Sequence, residues 1–128
     1  MPSTSYGDQI RISLQAAASL TAHQHHIVRI SAANQCNVAS NAVGQTTIGV
    51  LQNHPAANRP AEIAILGETK IVVGAAVTAP DYISTNGSGR AIAALSGTAV
   101  IGMALTTATT DGEIIRAVIF PPFFTGNL

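Results

Sequence analysis

Charge is the scarcest commodity in this chain: Asp, Glu, Lys and Arg together make up 9 % of its 128 residues, against roughly 25 % in an ordinary soluble domain. Aromatics reach only 4 %, Trp is absent, and Cys36 is the single cysteine. Each shortage excludes something. The six basic residues, Arg11, Arg29, Arg59, Lys70, Arg90 and Arg116, are scattered and matched by six acids. No basic stripe exists to neutralise a phosphate backbone, and few rings exist for bases to stack on. Nucleic acid is therefore not an expected partner. No apolar run approaches the length of a spanning helix, and MPSTSYGDQ has neither the basic nor the apolar region of a signal peptide. No membrane partner is expected, and synthesis in a cytoplasm is. A lone cysteine cannot close an internal disulfide, and Cys36 reads as a small buried residue rather than a nucleophile.

The missing charge also describes the surface. A monomer of this mass exposes on the order of 6,300 Å², which leaves roughly one charge per 500 Å². With a net charge of zero, such a surface favours association. The chain reads as a subunit whose faces neighbours cover; the alternative is a monomer kept soluble by Ser, Thr, Asn and Gln.

Apolar residues are plentiful at 47 %, mostly Ala, Val, Ile and Leu, and their pattern is that of strands. Ile10, Ile12 and Leu14 alternate with polar residues, as do His25 to Ser31. A short strand is expected around Asn37 to Ser40. AEIAIL and TKIVVGAAV read as two β-branched runs separated by Gly67 and Glu68. Ala16 to Leu20 has helix propensity but is too short to hold a helix unaided. His54 to Ala61, with Pro55 and Pro60, is the clearest loop. Asn86-Gly87 predicts a hairpin with a type I′ turn, and Asp111-Gly112 turns the last pair of strands. The expected fold class is all-β, a compact β-barrel or β-sandwich of about ten short strands.

A repeat runs through the pattern. An offset of 53 residues separates Ile30 from Ile83, Ser31 from Ser84, Ile48 from Ile101 and Gly49 from Gly102. This suggests duplication of one β unit, with halves of about 9–66 and 67–120. Residues 1–8 read as an N-terminal arm, 9–120 as a single β domain and 121–128 as an aromatic C-terminal tail. Phe120, Phe123 and Phe124 are the only phenylalanines. Pro121 and Pro122 are expected to stop the last strand, leaving the tail either to cap its own barrel or to dock on a neighbouring subunit.

Site chemistry is thin. His23 and His25 would share a strand face, yet a zinc site needs three or four converging ligands, and solvated strand histidines are the better reading. Neither a nucleophile elbow nor a phosphate-wrapping glycine loop before Lys70 is present. Glu62 and Glu113, at equivalent repeat positions, read as edge charges that deter strand addition. Gly87-Ser88 raises a self-cleaving, pyruvoyl-forming barrel as a remote alternative. No catalytic, cofactor-binding or metal residue is predicted, and the protein is not expected to be an enzyme.

The segments IGVLQNHPAAN, TKIVVG and NGSGRA, with AVIGMAL and GEIIRAVIF, resemble the small capsid cement, or head decoration, proteins of tailed bacteriophages. The likeness runs from about Ile10 to Phe120. It implies a β-rich homotrimer on the outer surface of the virion head, made in the host cytoplasm, whose partners are the major capsid protein and itself. Such a protein stabilises the head by bridging neighbouring capsid subunits. Interface residues are then expected in the arm and tail: Tyr6, Gln9, Phe120, Phe123 and Phe124. The HQHH run and the Phe-rich tail depart from the family pattern. A receptor-binding or fibre-like surface module is the alternative.

Overall fold

The computed structural model describes residues 8–40, 46–95 and 98–124. Nine strands form among them: β1 Gln9–Ala16, β2 Ile27–Ala32, β3 Gln35–Val38, β4 Thr47–Leu51, β5 Pro60–Val72, β6 Tyr82–Thr85, β7 Ala91–Ala93, β8 Ala99–Ala104 and β9 Ile114–Phe124. The fold is all-β, as the alternation predicts, with nine strands in place of about ten. Ala17 and Ala18 form a bend rather than a helical turn.

The strands close into two rings that share β5. In the first, the order is β1, β3, β2, β4 and the leading half of β5, which returns to β1. In the second, the trailing half of β5 carries β9, then β8, β6 and β7, and Ala91 of β7 bridges back to Val73 just beyond β5. Both rings are closed by a parallel contact, Ala16 with Cys36 in one and Val73 with Ala91 in the other. Closure leaves few unpaired strand edges.

Sharing a strand requires β5 to be long, and at 13 residues it runs straight through Gly67-Glu68, where the sequence suggested a break. Gly67 adopts φ +109° and pairs with Gln9 on one side and Ile119 on the other. A bulge opposite Ile10 and Arg11 precedes it. An extra residue in a strand reverses which face its side chains take. Ile63 accordingly packs in the first core and Ile71 in the second.

Two apolar cores result. Leu20, Val28, Cys36, Leu51 and Ile63 fill the first; Ile71, Val73, Ile83, Ile101, Ile115 and Ile119 fill the second. Ile27, Val50 and Ala64 point into the second core from strands whose next residues, Val28 and Leu51, or preceding residue, Ile63, face the first. At Ile27–Val28, Val50–Leu51 and Ile63–Ala64 these strands are buried on both faces, so adjacent apolar residues replace the alternation there.

The turns differ from expectation in detail. Asn86 to Arg90 joins β6 to β7 as predicted, but positive φ falls on Gly89 alone. The turn is instead held by the Asn86 side chain, whose Oδ1 accepts the N–H groups of Ser88 at 2.8 Å and Arg90 at 3.0 Å. An asparagine that satisfies two backbone donors removes the need for a type I′ geometry. Gly112 has φ +92° in the last turn. Glu62 is no edge charge, because β5 is paired there with both β1 and, one residue on, β4. Glu113 clasps a loop: one carboxylate oxygen accepts the N–H and hydroxyl of both Thr109 and Thr110 at 2.8 to 3.1 Å. These bonds favour its ionised form and lower its pKa.

Candidate interaction surface

The last strand carries the most unusual surface. Pro121 and Pro122 do not end β9, which continues to Phe124 and pairs Phe123 with Val100. The ladder accommodates them by a shift: Phe120, Pro121 and Pro122 lie between the Ile119–Gly102 and Phe123–Val100 pairs, opposite Ile101 alone. A bulge at an exposed position is where a strand tolerates residues that donate no hydrogen bond.

This shift places aromatic rings in solvent. Phe120 and Phe123 stack with centroids 6.0 Å apart, and Tyr82 of β6 meets Phe123 edge-on at 6.4 Å. Tyr82 is 49 % exposed and Phe123 47 %. Directly opposed residues share a sheet face, so the row Tyr82, Met103, Val118 and Glu68 runs across β6, β8, β9 and β5 beside the cluster. Its inner counterpart, Ile83, Gly102 and Ile119, is buried. The second ring thus carries, besides its apolar core, an exposed apolar patch around Tyr82, Phe120 and Phe123 that ends at Glu68; exposed patches rimmed by polar residues mark interaction sites.

Tyr6 lies outside the described residues, as does the arm up to residue 7, and the Phe124 side chain is likewise outside them. Asp8 is tied down, its carbonyl accepting the Glu68 N–H at 3.1 Å. Gln9 is part of β1, and its amide donates to the Glu68 carbonyl at 2.7 Å. Phe120 and Phe123 come together, whereas Gln9 belongs to a different feature, a cleft where the rings meet. That cleft, of about 650 Å³, is lined by Gln9, Arg11, His25, Glu68, Lys70 and Arg116 among others. Arg116 pairs with Glu68 across it.

The histidines occupy turns rather than a strand, which corrects the picture of solvated strand residues. His25 has φ +65°, with its N–H bound to the Leu51 carbonyl and its carbonyl to the Val72 N–H. Burial lowers its pKa, and Lys70 and His26 add to the effect. His26 is also lowered, chiefly by burial, and stands edge-on to His23 at 5.0 Å. Among the described residues no three His, Cys, Asp or Glu side chains gather as metal ligands would. Cys36 is buried in the first core, which raises its thiol pKa. Sequence reasoning found the phenylalanines but missed Tyr82 and the cleft. Only pairing across β5 brings Arg11, Lys70 and Arg116 together.

No family model matches the chain, and no curated protein matches it. Among solved structures, the head fiber gp8.5 N base in bacteriophage phi29 has a similar fold, with a TM-score of 0.67 and 15 % identity. The match covers 87 % of this chain and 93 % of that one. At that identity the likeness is one of fold. The chain therefore shares its all-β architecture with a protein of a phage head.

Proposed function

We infer that this chain is a non-enzymatic structural subunit of a bacteriophage head, docking on its outer surface as a homotrimer and bridging neighbouring major capsid subunits. The observation that carries the reading is the fold shared with a head fiber base over nearly the full length of both chains. The apolar outer face around Tyr82, Phe120 and Phe123 supports self-association, since aromatic residues with few charges mark interface centres. Whatever binds only the assembled shell stabilises it by mass action.

A second reading, favoured by the fold shared with a head fiber base, is that role itself. The two differ in what they do to the shell: a cement strengthens it, and a fiber base need not. Sedimentation equilibrium tests the trimer, and co-sedimentation with expanded heads tests docking. Heads lacking the protein should then break at lower temperature than decorated ones. A monomer that ignores heads overturns both readings; docking without any gain in shell stability leaves the fiber base.

A further inference from the structure

The cleft between the rings is unexplained by an apolar docking face. Three of the six basic residues of the chain, Arg11, Lys70 and Arg116, line it with His25, and one acid, Glu68, faces them. In a chain this poor in charge, three cations around one cleft is a concentration that folding must hold against mutual repulsion. Glu68 is engaged by Arg116. Arg11 gives its Nε–H to Gln9, and Lys70 makes no side-chain hydrogen bond or ion pair among the described residues. His25 stands at the wall with φ +65°, its backbone held by Leu51 and Val72; left-handed non-glycine residues of that kind tend to collect at functional positions.

We propose that this cleft receives a carboxylate side chain from a protein partner, with Lys70 and Arg11 as the receiving cations and the Glu68–Arg116 pair beside Lys70. A singly charged carboxylate suits it better than a phosphate. A capsid protein presents its anionic charge as Asp and Glu carboxylates, and among the described residues no cationic track leads away from the cleft to hold a polyphosphate. The identity of the partner rests on the head-docking reading. Asp8 is bonded to Glu68 and Gln9 lines the wall, so β1 begins beside the cleft.

The test uses the whole chain labelled for NMR, titrated with acetate, inorganic phosphate and chloride at matched ionic strength. Acetate is expected to shift the Thr69 and Lys70 amides and to raise the titration midpoint of His25, because a bound anion offsets the neighbouring ammonium. Chloride should do neither, and Lys70→Gln with Arg11→Gln should weaken the acetate response at least tenfold. A chloride response equal to that of acetate, or a stronger response to phosphate, overturns the carboxylate assignment. On heads, the same double variant should dock at least tenfold more weakly than wild type, while Arg59→Gln, an exposed cation outside the cleft, should dock normally. Equal docking of the double variant and wild type overturns the partner. If wild type itself fails to dock, the head reading is lost, and the acetate titration still decides the chemistry of the cleft.

Discussion

Replacing Gly102 by alanine tests whether the Ile-Gly signature is a steric device. Gly102 sits in β8 between Ile83 of β6 and Ile119 of β9. A Cβ there would lie 2.3 Å from the Val118 carbonyl oxygen and 3.0 Å from the Ile119 Cα. Non-bonded carbon atoms settle at about 3.5 to 4.0 Å, so β9 would have to withdraw by about 1 Å. It cannot do so freely, because residues 114–119 are paired along their other edge with β5. Overpacking costs about 1 to 3 kcal/mol where side chains can yield; here the obstacle is backbone, which places the loss near ~3 kcal/mol. For a urea dependence of about 2 kcal/mol per molar, the unfolding midpoint should fall by about 1.5 M. The assay is urea unfolding at fixed subunit concentration, since any oligomer would add its own stabilisation. Gly112→Ala is the control: nothing lies within 4 Å of its Cβ, but φ is +92°, so only the conformational penalty of about 1 to 2 kcal/mol applies. A Gly102→Ala midpoint within about 0.3 M of wild type would refute the close-crossing argument.

Three further outcomes follow from the same geometry. Tyr82→Ser with Phe123→Ser should leave the far-ultraviolet spectrum intact and weaken self-association. Each ring, about half exposed, offers on the order of 100 Å² to a partner, or about 2 kcal/mol per residue; analytical ultracentrifugation reads the change. His25 and His26 have lowered folded pKa values, so the unfolded chain binds protons first on acidification. Stability should be full above the usual histidine range and decline as pH falls through it toward the folded values, and His26→Gln should flatten that part of a thermal-melt profile. Glu113, also lowered, contributes stability above the ordinary glutamate range that is lost as pH falls through its folded pKa. Glu113→Gln should remove that acid limb from the same profile.

Local chemistry made part of this fold legible. The alternation of Ile10, Ile12 and Leu14 marks β1, and Asp111-Gly112 marks the last turn. The 53-residue offset aligns β2 with β6 and β4 with β8, strands that hold matching places in the two rings. Gly49 meets the Ala64 carbonyl as Gly102 meets that of Val118, so the recurring glycine has one physical reason in both rings. Other features were hidden because they depend on pairing. Gly67 looks like a breaker until strands on both its edges hold it in β5. The two prolines look like a stop until a bulge opposite Ile101 absorbs them. Asn86-Gly87 signals a hairpin correctly, but the side chain of Asn86 selects a different turn. The cleft had no local signature, since its cations come from three strands.

The two surface features act through different physics, and on the proposed reading each would serve a different partner. The apolar face is too small alone for a stable interface: Tyr82 and Phe123 together expose about 200 Å², against roughly 800 Å² per partner in a typical complex. The remainder must come from its uncharged neighbours, Met103, Val118, Pro121 and Pro122, and from the surface beyond them, and covering uncharged groups strands no ions. Such a contact is nearly indifferent to ionic strength. The cleft is the opposite case, an exposed set of cations whose attraction for a carboxylate is screened beyond about 8 Å in physiological salt. Assembly of the subunit and its attachment elsewhere would then be governed separately, one by burial and the other by charge. A chain that spends three of its six cations on one cleft leaves the rest of its surface free for the first.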